Sequence, residues 1–235
     1  MGAIVLIGAG IHGAAGFGFA LASAPFLVLI LPGKDVVPLI IGCGLVLESL
    51  VLWQQRAALI LRPVVPLVAG SFVGSVLGAL VFTSLAARMV QLLVIAVTLP
   101  AAAAMALGLR RPIAAQGLGS AVVGVVSGVL NATTGLSGPP VAVFLTNQGW
   151  ERGQFRAALN LFFIVADAFT IAVLWSLGAI APDVPLLVVT AIPFAIAGYA
   201  AGAMLWAALD DRQLQLAVVG LVLIGDGFAI ASLVM

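Results

Sequence analysis

The side chains able to do chemistry are few in this chain, and they gather at two places. One is Asn131-Ala132-Thr133-Thr134-Gly135-Leu136-Ser137-Gly138-Pro139-Pro140. It brings together an amide, three hydroxyls and a proline pair that fits the start of a helix better than its middle. The free N–H groups at such a start attract anions, and uncharged amide and hydroxyl donors add to them. Asn131, Thr133, Thr134, Gly135, Ser137, Gly138 and Pro139 are therefore candidate contacts for a tetrahedral or pyramidal oxyanion. The other place runs from Gly16-Phe17-Gly18 to Ser23-Ala24-Pro25. It offers mostly backbone, with Gly16, Gly18, Ser23 and Pro25 as candidates. Half-helices are expected to start at Ser23-Ala24-Pro25 and at Ser137-Gly138-Pro139, and the second place should supply most of the side-chain contacts. His12, the single histidine, is a candidate contact, with a hydrogen-bonded packing role as the alternative.

Three carboxyls, Glu48, Asp167 and Asp226, stand inside apolar segments. An ionised group at the centre of a membrane helix costs about 2.5 to 3.5 kcal/mol on the most lenient scale, so such residues mark a role. Glu48 and Asp167 occupy equivalent places in the two halves of the chain and are proton-coupling candidates. The alternative is that each is a neutral or paired packing residue. Asp226 is read as structural.

The elements that hold these groups must be membrane helices. Of the 235 residues, 64% are hydrophobic and 7% charged, whereas a soluble domain carries about 25% charge. The net charge of +1 gives no field for nucleic acid. One cysteine, Cys43, and one histidine exclude a disulfide framework and a multi-histidine metal site within the chain, and no cofactor is implied. The first residues lack the basic start of a secretory signal and read as mature protein. A crossing needs about 20 apolar residues. Apolar segments fall at 2–31, 36–53, 63–84, 89–108, 113–146, 157–177, 184–207 and 213–234. Short polar connections separate them: Pro32-Gly33-Lys34-Asp35, Gln54-Gln55-Arg56, Leu109-Arg110-Arg111-Pro112, Gly149-Trp150-Glu151-Arg152 and Asp210-Asp211-Arg212. Trp53, Trp150, Trp175 and Trp206 lie at segment ends, the level at which aromatic belts form.

The first and fifth segments are longer than one crossing and interrupted near the middle, so each is read as a pair of half-helices. The halves of the chain repeat: an offset of 115 aligns Gly13 with Gly128 and Pro25 with Pro140, and an offset of 119 aligns Glu48 with Asp167. An offset of 124 aligns Gly74 and Gly78 with Gly198 and Gly202, glycines that suit close helix packing. If the interrupted segments are hairpins that enter and leave on one face, Arg56, Arg62, Arg110, Arg111, Arg152, Arg156 and Arg212 share a side, opposite Lys34 and Arg88. The excess of Lys and Arg in cytoplasmic loops favours this arrangement over eight simple crossings. The expected fold is an all-α polytopic membrane protein with two inverted repeats, 1–111 and 112–235. Each repeat is a broken re-entrant hairpin plus three transmembrane helices, and both termini lie outside. Arg88 and Arg212 read as interface anchors, and Arg152 and Arg156 as loop charges that set topology, with lining of an entrance as the alternative.

The run Gly128-Val-Leu-Asn131-Ala-Thr-Thr134-Gly135-Leu-Ser-Gly138-Pro139-Pro140, followed by Arg156-Ala-Ala-Leu-Asn160, resembles the second-half signature of the TauE/SafE sulfite exporter family. The stretch from Gly13 to Ala24-Pro25-Phe26-Leu27 resembles its companion, with fewer glycines than many members show. The resemblance spans essentially the whole chain. It implies a transporter rather than an enzyme, moving sulfite, an organosulfonate or a related small anion across a bacterial inner membrane. The expected mechanism is alternating access around the two breaks, with proton coupling as an option. The expected partners are that anion and the lipid bilayer; a homo-oligomer is compatible with the sequence. Two alternatives remain, a passive anion channel and, remotely, an intramembrane protease built on Gly135-Leu136-Ser137-Gly138, for which His12 is the only histidine base.

Overall fold

A computed structural model describes residues 1–106, 117–146, 150–205 and 211–234. Every regular element among them is helical. The order is α1 (Gly2–Ala15), α2 (Phe19–Leu27), α3 (Gly33–Gln55), α4 (Val64–Ser84), α5 (Ala87–Ala106), α6 (Leu118–Thr134), α7 (Gly138–Thr146), α8 (Arg152–Ser176), α9 (Val184–Leu205) and α10 (Asp211–Val234). The expected boundary between repeats, the Leu109-Arg110-Arg111-Pro112 connection, Gly149, Trp206 and Asp210 lie outside the described residues. Helix α8 begins five residues before the expected 157, because Glu151 and Gln154 form a capping box that satisfies the backbone at its start.

The two interrupted segments are helical hairpins. Helix α1 stops at Gly16, whose φ of +84° turns the chain out of the helix, and α2 starts after Gly18 at φ +100°. A glycine adopts these angles at little steric cost. Gly8 of α1 then lies against Ser23 and Phe19 of α2, so the chain folds back on itself. Helix α6 stops at Gly135 with φ +72°. The Ser127 hydroxyl of α6 donates to the Ser137 carbonyl at 2.9 Å, so this chain also turns back. The second break falls where the sequence places it. The first does not: α2 begins at Phe19, and Ser23 and Pro25 sit inside it rather than at its start. Two glycines at positive φ end a helix outright, whereas Pro25 removes one hydrogen bond from a helix that ends two residues later.

This placement also revises the alignment of the halves at the hairpins. The offset of 119 that relates Glu48 to Asp167 also relates Gly16 to Gly135, Gly18 to Ser137 and His12 to Asn131. The geometry repeats with it, since the Gly16 N–H donates to the His12 carbonyl at 2.7 Å and the Gly135 N–H to that of Asn131 at 2.8 Å.

The long arm of each hairpin packs on a helix from the other half of the chain: α6 on α4, and α1 on α9. Glycines make both contacts close. A Cβ on Gly70 or Gly74 would overlap the backbone of α6, and one on Gly198 or Gly202 that of α1. Without a hydrophobic force between helices in lipid, such close approach is what holds them. Helices α3 and α8 pack together at the centre, as do α5 and α10 further out. Asp226 of α10 meets the Thr98 hydroxyl of α5 at 2.9 Å, which fits its structural reading.

Among the described residues, four helical stretches are long and apolar enough to cross a membrane: Gly33–Ala58, Val64–Ser84, Arg152–Ser176 and Val184–Met204. Large apolar side chains point outward from them, among them Val73, Leu77 and Leu80 on α4 and Leu186 and Val189 on α9. In water such faces would drive aggregation; in hydrocarbon they are the solvent-facing surface. The guanidinium of Arg56 stacks over Trp53 at the end of α3, 4.3 Å from the ring centre, as expected for an interfacial anchor.

Candidate functional site

The two breaks open into one cavity. Helix α1 contributes His12, the first break and the start of α2 contribute Phe17 to Leu21, and the second break and the start of α7 contribute Gly135 to Pro139. Helices α3 and α8 cross beneath, adding Ile40, Gly44 and Glu48 from one and Phe163 and Asp167 from the other. The empty space is about 450 Å³, counting its open mouth. Phe17, Phe19 and Phe163 contribute aromatic rings to its lining.

Of the residues singled out from sequence, His12, Gly18, Gly135, Ser137, Gly138, Pro139, Glu48 and Asp167 line this cavity. Gly16, Ser23, Pro25, Asn131, Thr133 and Thr134 stand behind its wall. The hydroxyls of Thr133 and Thr134 are turned inward to their own helix: Thr133 donates to the Val129 carbonyl at 2.8 Å and Thr134 to that of Leu130 at 2.7 Å. A threonine facing the preceding turn finds this acceptor without leaving its rotamer. The Ser23 hydroxyl is buried against Gly8 and has no hydrogen-bond partner.

The carboxyls of Glu48 and Asp167 approach one another beside Gly44: a Cβ built there would meet Glu48 Oε1 at 3.2 Å and Asp167 Oδ2 at 3.3 Å. Asn131 donates from its Nδ2 to Asp167 Oδ1 at 2.7 Å and to Thr170 Oγ1 at 3.2 Å. Thr170 in turn donates to Ser75 Oγ of α4 at 2.9 Å. Asn131, in the last turn of α6, is thus tied to Asp167 and does not line the cavity. Glu48 Oε2 and Asn131 Oδ1 have no protein partner. A buried polar atom without a partner is costly, and in a native site it points to water or a ligand.

The two helix starts differ in what they offer. In α2 the first intrahelical bond runs from Ala22 N–H to the Gly18 carbonyl. The N–H groups of Phe19, Ala20 and Leu21 therefore have no acceptor in their own helix. In α7 the second and third residues are Pro139 and Pro140, which have no N–H. There Gly138 N–H and the Ser137 hydroxyl are the nearest donors.

Two residues named in the sequence reading take a role at the first break that it did not give them. Arg156 of α8 reaches the end of α1 and donates from Nε to the Ala15 carbonyl at 3.1 Å and from Nη2 to that of Ala14 at 2.7 Å. Asn160, one turn further along α8, donates to the Gly16 carbonyl at 2.8 Å. The last carbonyls of α1 lack helical partners, and these two side chains supply them. Arg156 is thus drawn into the hairpin rather than left as a loop charge. The i, i+4 spacing of Arg156 and Asn160, which puts both on one face of α8, was the available signal.

Residues 1–225 match the sequence model of a protein family described as Sulfite exporter TauE/SafE. No curated protein and no solved structure matches the chain significantly.

Proposed function

The chain belongs to the TauE/SafE sulfite exporter family, a family of small-anion transporters of the cell membrane rather than enzymes, and from that premise we propose that it moves sulfite or an organosulfonate by alternating access around the two breaks. One observation carries the reading: both half-helix starts face a single cavity whose floor is the Glu48–Asp167 pair. Oriented N–H groups draw a small oxyanion there, and a proton taken up by either carboxyl can travel with it. Binding at the meeting point of broken helices is the arrangement that alternating access requires.

The proposed topology has six full crossings, α3, α4, α5, α8, α9 and α10, and two hairpins that enter and leave on one face. Three crossings separate the hairpins, so the halves, divided near residue 111, are inverted, and both termini lie outside. The predominance of arginine in the connections assigned to the cytoplasm supports this. Reporter fusions after Arg111 and after Asp183 should read cytoplasm and periplasm; two cytoplasmic readings would rule the topology out.

Proteoliposomes test the function. Sulfite, small organosulfonates, sulfate and small carboxylates are offered with and without a pH gradient. Accumulation of sulfite or a sulfonate driven by the gradient is the expected result. Flux that only dissipates a concentration gradient would make the protein a channel, and flux of none of these anions would defeat the proposal.

A further inference from the structure

The two breaks share a cavity, yet the geometry points to an uneven division between them: we propose that the anion is held at the first break. Its contacts would be the α2 N-terminus and His12, with Arg156 as the positive charge behind them. This rests on the transporter reading and assigns its substrate site.

Three observations converge. The N–H groups of Phe19, Ala20 and Leu21 have no acceptor in their own helix, and all three residues line the cavity. His12 lines the same wall, is 2% exposed, and neither ring nitrogen has a hydrogen-bond partner. Desolvating an imidazole without a partner is costly, so a vacant donor in the cavity wall marks where an acceptor can bind. The third is Arg156. A helix C-terminus carries a negative partial charge, and α1 ends at this cavity, where that charge would repel an anion. The Arg156 guanidinium lies on the carbonyls of Ala14 and Ala15 and offsets it. At the second break the corresponding neighbours of Gly135 are Val37 and Ile40 of α3, which carry no charge. The second break also offers fewer backbone donors, because Pro139 and Pro140 follow Gly138.

Arg156 does not line the cavity, so it acts as a positioning residue and through its field. The class of ligand follows: a small oxyanion with several acceptor oxygens, able to take N–H bonds from α2 and from His12 together.

Binding of radiolabelled sulfite, with a labelled sulfonate in parallel, is measured on purified protein and on His12→Ala, Arg156→Gln, Arg156→Lys and Ser137→Ala. Elution volume and melting temperature are recorded for each. Loss of a hydrogen bond to a charged ligand weakens binding about tenfold or more. His12→Ala and Arg156→Gln should each raise Kd by about that factor. Arg156→Lys should keep most of the affinity while melting earlier, because a point charge remains but the planar fork is lost. Ser137→Ala should show a smaller loss than His12→Ala. If Arg156→Gln fails to insert, His12→Ala against Ser137→Ala decides alone. Wild-type affinity in His12→Ala, or a larger loss in Ser137→Ala, overturns the assignment and leaves the transporter standing. Equal losses of affinity and of melting temperature in Arg156→Lys and Arg156→Gln would make Arg156 a structural cap and overturn its part. Absence of binding and of flux in the wild type would overturn both readings.

Discussion

The hairpin breaks at Gly16–Gly18 and Gly135–Ser137 are built alike and held differently. Both end a helix on a glycine at positive φ, and both turn the chain back on itself. The first is held from the other half of the chain, by Arg156 and Asn160 on the carbonyls of α1. The second spends its polar groups on its own half: Thr133 and Thr134 on α6 carbonyls, Asn131 on Asp167 and Thr170. His12 and Asn131 occupy equivalent positions, yet one presents vacant nitrogens to the cavity and the other is tied to the acid pair. Similar backbone turns thus carry different side chains, and on the proposed reading the first break holds the anion while the second is tied to the acids.

The sharpest way to break this comparison is through its glycines. A Cβ on Gly16 would overlap the Arg156 side chain and would sit on left-handed backbone as well. Gly16→Ala should therefore cost about 3 kcal/mol. Gly135→Ala has the same backbone strain, but its nearest neighbour is the Ile40 Cγ2 methyl at 3.3 Å, a much milder approach, so about 1–2 kcal/mol is expected. Melting of the two variants in detergent checks the order; an equal drop would mean that Arg156 does not brace the first break.

Next in size is the acid pair. Asp167→Asn should reduce accumulation driven by a pH gradient about tenfold or more while sulfite still binds, and Glu48→Gln should do the same. Gradient-driven accumulation at wild-type level in both would remove the proton from the mechanism. Asn131→Ala comes third. It strips one donor from Asp167 and leaves a small void, about 2 kcal/mol, and should slow transport without preventing insertion. A variant that transports normally would cut the proposed link between the second break and the acids.

Thr134→Val should have the smallest effect, within about 1 kcal/mol, because its hydroxyl serves only a carbonyl of its own helix. A collapse of flux with unchanged melting would show that this hydroxyl turns to the substrate during the cycle, and would return weight to the second break.

Much of the fold was legible because the signals are local. Glycine and proline act on their own backbone, so the interrupted segments stood out. A carboxyl in an apolar run is costly wherever it faces, so Glu48 and Asp167 stood out too, and the structure brings them together. What sequence could not supply was direction. Nothing in Asn131-Ala-Thr133-Thr134 says that the hydroxyls turn back to α6 and the amide sideways to α8. Nothing near Arg156 says that its partners lie over 140 residues earlier. Ser23-Ala24-Pro25 misled because proline is the conspicuous helix breaker, while paired glycines at positive φ did the breaking.

The pairing of α1 with α9 bears on how the chain is made. Synthesis delivers the amino end first, and α6 follows its partner α4 closely. Helix α1 waits for a partner that begins at Val184. Until then the glycine face of α1 lacks the helix it seats against, and within the first hairpin α1 rests on α2 alone. On the proposed assignment, a ribosome-released fragment that stops short of α9 should carry an intact pair of Glu48 and Asp167 and an unbraced first break.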